Sequence, residues 1–248
     1  MNLEKLKENW EELGESDAYW AVLTEPSKIN SKWDIDKFYE SGRNWVNAIF
    51  TELNLEKLLP PKGSALDFGC GPGRLSQGLC YKFENVVGTD ISSSMIKKAN
   101  QQNKFKQKCI YKVNSTNDLS QFKSNQFDFV LSFITLQHIE KTYVLNYIKE
   151  FSRVVKEGGY ILFNLPFRPP LILKLLLKVI GLRGVNLIRK MYYKKKSVIE
   201  MHWVEREELQ NFLEEINLEI VKISDDKSPG KKWGSNLYLL RKPVRNKG

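Results

Sequence analysis

The chain has 248 residues, of which 42% are hydrophobic and 27% charged, with 39 Lys and Arg against 29 Asp and Glu. That length suits one α/β domain with modest additions, and the composition excludes disordered and fibrous chains. Three cysteines without CxxC spacing and only two histidines argue against a metal cluster, and the most apolar stretch, 171–182, is too short and too charged to cross a bilayer of ~30 Å.

Residues 1–58 read mostly as helix and contain Trp10, Trp20, Trp33 and Trp45. Phe38, Trp45, Ile49 and Leu53 recur at roughly helical spacing, which predicts a helical extension packed on a main domain of residues 59–248. The break between them falls at Pro60-Pro61-Lys62-Gly63. The opening stretch lacks the apolar core of a signal peptide, and the scattered thiols suit a reduced, cytoplasmic setting.

From residue 64 onward, strand and helix patterns alternate. Strands are expected at 64–69, 85–90, 109–113, 127–133 and 160–165. Helices are expected at 75–82 and 92–100, the second with Ser92 as its N-cap. Tyr143, Tyr147, Ile148, Phe151, Val154 and Val155 form an amphipathic helix face, and Gly158-Gly159 reads as its stop. A helix at 205–216 and strands at 218–224 and 236–241 finish the chain. This alternation predicts a doubly wound, mostly parallel sheet whose last strand can run antiparallel.

The strongest local signal is Asp67-Phe68-Gly69-Cys70-Gly71-Pro72-Gly73-Arg74, which follows a strand and opens a helix. Alternate glycines let the backbone turn sharply beside a ligand. A dinucleotide loop would want glycine where Arg74 stands, because a pyrophosphate must sit on the helix N-terminus. Asp67 instead favours a cationic ligand end, since a carboxylate there repels a diphosphate. Asp90, at the tip of the second strand, is placed to accept from both ribose hydroxyls, with Ile91 beside the base.

Together these residues resemble the class I S-adenosylmethionine-dependent methyltransferase family. The resemblance continues through Phe127-Asp128-Phe129-Val130-Leu131-Ser132 and through Val155-Lys156-Glu157-Gly158-Gly159. It implies a Rossmann-like sheet of order 3-2-1-4-5-7-6 with strand seven antiparallel. It also implies S-adenosyl-L-methionine as cofactor, with Asp67, Gly69, Gly71 and Gly73 at its methionine end, Asp90 on the ribose and Ile91 on the adenine. Ser115 and Thr116, in Asn114-Ser115-Thr116, stand nearest the family's adenine-binding acidic position, which here has no carboxylate in register. Ser132 belongs to the fourth-strand motif, and Arg43 matches an arginine that reaches the cofactor carboxylate in some members.

Methyl transfer needs an oriented acceptor and, for a hydroxyl, a base. His138, just after the fourth strand, is the candidate general base, with His202 as second choice; a merely structural role for His138 stands beside that reading. The (D/N/S)PP(Y/F) motif of amino methyltransferases is replaced here by Leu131-Ser132-Phe133-Ile134. The favoured acceptor is therefore a small or lipid-linked molecule, methylated on oxygen.

No acidic residue lies between Glu157 and Glu200, and the run from Arg168 to Lys196 holds nine Lys and Arg. Residues 167–197 are thus expected to form a basic amphipathic insertion on the acceptor side. It reads as a lid, as a membrane-surface element peripheral at anionic lipid, or as a solvated helix. The rival functions are an RNA methyltransferase using residues 168–196, although no RNA module is recognisable, and a membrane-surface quinone or lipid methyltransferase.

Overall fold

The computed structural model describes residues 3–60, 62–193, 199–230 and 232–244, with residues 177, 182, 183 and 186–193 described through their backbone. Lys194, Lys195 and Lys196, the densest part of the basic run, lie outside the described residues.

Two long helices come first. Helix α1 (Leu3–Val22) is kinked at Asp17, and α2 (Ile35–Glu52) is capped by Asp34, whose carboxylate accepts from the Lys37 amide at 2.9 Å. The short α3 (Leu55–Leu58) leads into β1 (Ser64–Phe68), followed by α4 (Arg74–Leu79), β2 (Asn85–Asp90) and α5 (Ser93–Gln101). Ser92 caps α5, its hydroxyl accepting from the Met95 amide at 3.2 Å. Strands β3 (Cys109–Val113) and β4 (Phe127–Ser132), helix α6 (Lys141–Val154) and strand β5 (Val155–Arg168) complete the parallel part. Helices α7 (Leu171–Tyr193) and α8 (Arg206–Glu215) precede the closing pair β6 (Glu219–Asp225) and β7 (Gly234–Arg241).

The seven strands form one sheet of order β3-β2-β1-β4-β5-β7-β6. The first five pair in parallel, and β7 runs antiparallel to both β5 and β6, as the pattern and the resemblance implied. The sheet carries a core on each face. Phe151, Ile148, Leu209 and Leu213, from α6 and α8, pack with Leu66, Val130 and Ile161. Val46, Phe50, Leu79 and Ile96, from α2, α4 and α5, pack with Ala65, Phe129 and Leu162. Residues alternate between faces along each strand, so a strand buried on both sides is apolar throughout. Asp128 ties the starting ends of three strands together: it accepts from the Ser64 amide at 2.8 Å and from Lys156 Nζ at 2.9 Å.

Helix α2 crosses α4 at close range. A Cβ on Gly42 would overlap the Arg74 carbonyl, and a Cβ on Gly78 would press on the Gly42 carbonyl. One expected boundary moves. Gly158-Gly159 does not stop α6, which ends at Val154, but lies inside β5, where Val155 already pairs with Phe127. Gly158, at φ +77°, bulges the strand and donates its amide to the Lys242 carbonyl at 2.8 Å.

Candidate active site

The parallel strands β1, β2 and β4 end at one edge of the sheet, and the order reverses between β1 and β4. An open α/β sheet leaves a crevice at such a switch point. The loop after β1 forms its floor. Gly69 and Gly71, at φ +75° and +52°, line the cleft, and a Cβ on Gly69 would overlap the Thr135 side chain. Gly73, at φ +87°, serves the loop differently: it packs against the Tyr111 ring and does not line the cleft. Tyr39, on α2, donates its hydroxyl to the Pro72 carbonyl at 2.7 Å and so holds the loop from behind.

Two carboxylates face this floor. Asp67 is buried, and burial pushes its carboxyl up to about 6; the Ser76 hydroxyl, donating at 2.6 Å, and the Arg74 charge oppose that rise, while Asp90 adds to it. Asp90 is also pushed up to about 6, first by burial, against amide bonds from Ser92 and Gly71. The Gly71 amide donates to its Oδ2 at 2.8 Å and the Ser92 amide to its Oδ1 at 2.9 Å. A cleft that holds two acids this high favours a cation between its walls. Ile91 lines the cleft beside them.

Arg74, the residue that broke the dinucleotide pattern, is buried and lines the same cleft. Burial lowers its guanidinium to about 10, and its Nε has no hydrogen-bond partner among the described residues. Its Nη1 lies 3.5 Å from the Ser41 hydroxyl. A buried donor of this kind is free to take a carboxylate.

Four of the residues singled out from sequence occupy other places. Arg43 is exposed, with its guanidinium 5.3 Å from the centre of the Tyr81 ring, away from the cleft. Arg43 stands on the face of α2 turned away from the cleft. Ser115 and Thr116 are exposed, and the Thr116 hydroxyl donates to Asp118 at 3.0 Å; Asn114 lines the cleft in their stead. The Asn114 side chain is spent internally, donating to the Asp118 carbonyl at 3.1 Å and accepting from Gln121 at 2.9 Å. Ser132 is fully buried within β4 and does not line the cleft.

The opposite wall is the turn after β4. Ile134 takes φ +58°, which a β-branched residue strongly resists. Its amide is held by the Asn164 carboxamide oxygen at 2.6 Å, and Asn164 in turn donates to Asp226 at 2.8 Å. Beyond it, His138 is buried and lines the cleft, its ring meeting Trp10 edge-on with centroids 5.3 Å apart. Nδ1 lies 2.8 Å from the Glu200 carbonyl, which can only accept, so Nδ1 carries the proton. Nε2 then holds the lone pair and faces the Gln137 amide nitrogen at 3.2 Å. His202 does not line the cleft; its amide donates to the Gln137 carbonyl at 2.7 Å, and its Nε2 lies 3.4 Å from the Glu200 carboxylate.

Helix α1 closes the cleft from above through Leu6, Trp10, Ala21 and Val22. It is fastened to α5 by Glu11, which accepts from the Ser93 hydroxyl at 2.6 Å and the Ser94 amide at 3.0 Å. The sequence offered one signal for this cover, the tryptophan-rich helical start, but nothing that aimed it at the cleft.

Residues 66–163 match the family model described as a methyltransferase domain. The chain is 29% identical over 150 residues to the ubiquinone biosynthesis O-methyltransferase of Dechloromonas aromatica, a match covering 55% of this chain and 64% of that one. It is 37% identical over 95 residues to the enzyme of the same name from Pelagibacter ubique, covering 38% of each. Both matches span less than two thirds of the relative's own length. Among solved structures, the magnesium protoporphyrin IX methyltransferase of Synechocystis PCC 6803 superimposes with a TM-score of 0.65 at 15% identity, over 97% of this chain and 99% of that one. At that identity the likeness is one of fold.

Proposed function

We propose that this chain, whose residues 66–163 match a methyltransferase domain, is a class I S-adenosylmethionine-dependent methyltransferase that transfers a methyl group from S-adenosyl-L-methionine to an oxygen of a small-molecule acceptor. The observation that carries the reading is the pair of acids, Asp67 and Asp90, both pushed up to about 6 by burial at the floor of one cleft. They suit a ligand with a cationic amino-acid end and a sugar diol, and they oppose a diphosphate.

In this reading Asp67 takes the ammonium and the free Nε of Arg74 takes the carboxylate of the methionine end. Asp90 accepts from the ribose hydroxyls while keeping its two backbone amides, and Ile91 packs on the base. Gly69 and Gly71 admit the ligand close to the backbone. When bound, the methyl donor supplies a carbon on a positively charged sulfur, which departs as a neutral thioether.

His138 is the proposed base. Its Nδ1–H bond to the Glu200 carbonyl fixes the tautomer that leaves Nε2 able to accept a proton. An acceptor hydroxyl replacing the Gln137 amide at Nε2 gives its proton there as its oxygen bonds to the methyl carbon. The apolar ring of Trp10 and the strained Ile134 then shape the acceptor side. The likeness to O-methyltransferases of ubiquinone biosynthesis supports an oxygen on a small-molecule acceptor.

Calorimetry tests the donor site. S-adenosylhomocysteine should bind and NAD should not; heat from NAD with none from S-adenosylhomocysteine would remove the reading. Radiolabelled methyl transfer to a series of catechols and quinols then identifies the acceptor class.

A further inference from the structure

Helix α7 begins three residues after β5 and is broken at Gly181, which takes φ +66° and ψ 178°. Its first half has an apolar face that no part of the described chain covers. Leu171 is 75% exposed, Ile172 64%, Leu175 62% and Val179 81%, with Leu176 and Ile180 also exposed. At 100° per residue these six side chains share one half of the helix circumference. Lys174 and Lys178 are exposed along one margin of that half. Scattered exposed leucines need no explanation, but a contiguous stripe of six does.

We propose that this half of α7 is an interfacial helix that seats the protein on an anionic lipid surface. Charge decides the occupant. The stripe sits in a stretch with no acidic residue between Glu157 and Glu200 and with nine Lys and Arg from Arg168 to Lys196. A second copy would bring two such cationic stretches face to face, which repels. Nucleic acid would neutralise the cations but leave the six apolar side chains in water. A leaflet of acidic headgroups takes both, with the stripe sunk to the acyl boundary and the lysines reaching the phosphates. No helix among the described residues is long and apolar enough to cross a membrane, so α7 lies in the surface.

Placement adds a consequence. Strands β1, β4 and β5 are parallel and end on the same edge of the sheet, so α7 leaves from the edge where the cleft opens. A protein seated on α7 turns that edge toward the lipid, where a lipid-linked acceptor would be presented. The seating itself goes beyond the methyl-transfer reading and does not depend on it.

Vesicle co-sedimentation at low salt tests it, with phosphatidylcholine alone and with phosphatidylcholine mixed with phosphatidylglycerol. The mixed vesicles should take up the chain about tenfold more strongly. The double variant Leu175→Glu/Val179→Glu should lose uptake on both. The double variant Lys174→Ala/Lys178→Ala should keep its uptake on phosphatidylcholine and weaken only the preference for the mixed vesicles. Because all four side chains are exposed, melting should move by no more than about 2 °C in either variant, so lost uptake cannot be laid to unfolding. Equal uptake by the two vesicles, or uptake that survives the two glutamates, overturns the proposal. So does a concentration-dependent dimer in sedimentation equilibrium that the two glutamates abolish, because the stripe would then belong to a second copy.

Discussion

The two walls of the cleft are built by different means. The floor and near wall come from residues 67–91, where each of the two carboxylates is fixed by neighbours close in the chain: Ser76 on Asp67 across nine residues, Gly71 and Ser92 on Asp90 across nineteen and two. The far wall is assembled from distant pieces. His138 is oriented by Glu200, 62 residues on, Ile134 by Asn164, 30 residues on, and Trp10 comes from the opposite end of the chain. A wall made locally depends on backbone geometry, which glycine and aspartate impose wherever they stand. A wall made at long range depends on the whole fold being in place. The near wall therefore suits a constant ligand and the far wall a particular one.

The largest effect expected tests the far wall. Replacing His138 with Ala removes the proton acceptor and should lower turnover by roughly 10²–10⁴-fold, with S-adenosylhomocysteine affinity within about threefold of the original. A pH–rate profile separates the roles: loss of the acidic limb in the variant identifies His138 as the base, whereas full turnover removes it from the chemistry. On the near wall, Asp90→Ala should act the other way round. It strips the acceptor from two amides and from the proposed ribose contact, and S-adenosylhomocysteine affinity should fall about a hundredfold in calorimetry, at ~1.5–3 kcal/mol for each charge-assisted bond lost. If both variants weaken binding equally, the division between the walls fails.

The difference between the walls also explains what could be read from the chain. The doubly wound sheet, its antiparallel last strand and the glycine loop were legible because strand alternation and Gly-Asp chemistry are short-range signals, while the strand order came only with the family resemblance those motifs carry. The cover by α1 was not, because Leu6 and Trp10 look like any helix face until the fold brings them over the loop. Asn164 was missed for the same reason: an asparagine in the middle of a strand gives no hint that it pins a left-handed isoleucine thirty residues away. Gly158 was read as a helix stop because a Gly-Gly pair after a helix is that signal; pairing of Val155 with Phe127 overrode it.

Acid sharpens the contrast at intermediate size. Asp67 and Asp90 are both pushed up to about 6, above the ~3.9 of an unfolded aspartate. Between pH 4 and 6 the folded state therefore binds more protons at these two sites than the unfolded state does. Their contribution to the stability of the ligand-free protein rises as pH falls through that window, and is lost as pH rises through about 6. Binding of a cationic ligand needs the ionised form and moves oppositely: affinity for the methyl donor should fall by about tenfold per carboxylate from pH 7.5 to 5. Calorimetry beside melting curves checks both signs. A ligand affinity that rises in acid would mean that the cleft does not hold a cation.

The smallest effect expected separates Arg43, which the family resemblance offered for the ligand carboxylate, from Arg74, which the structure places in the cleft. Arg43 is exposed on α2 and stacks on Tyr81, a contact of ~0.5–1 kcal/mol at an exposed site, so Arg43→Ala should leave S-adenosylhomocysteine affinity within about twofold and lower melting by about 1–4 °C. Arg74 lies under the loop, buried, with Nε unengaged among the described residues and its charge opposing the rise of Asp67. Arg74→Met keeps the stem that fills that space and removes the charge, so affinity should fall at least tenfold while the Asp67 carboxyl moves higher still. Decarboxylated S-adenosylmethionine provides the control that structure loss cannot imitate. It lacks the group assigned to Arg74, so its affinity should be nearly the same in the original chain and in Arg74→Met. Should the variant weaken both ligands alike, Arg74 is holding the loop and not the carboxylate; should Arg43→Ala weaken the full ligand selectively, the helix face assigned to each arginine is reversed.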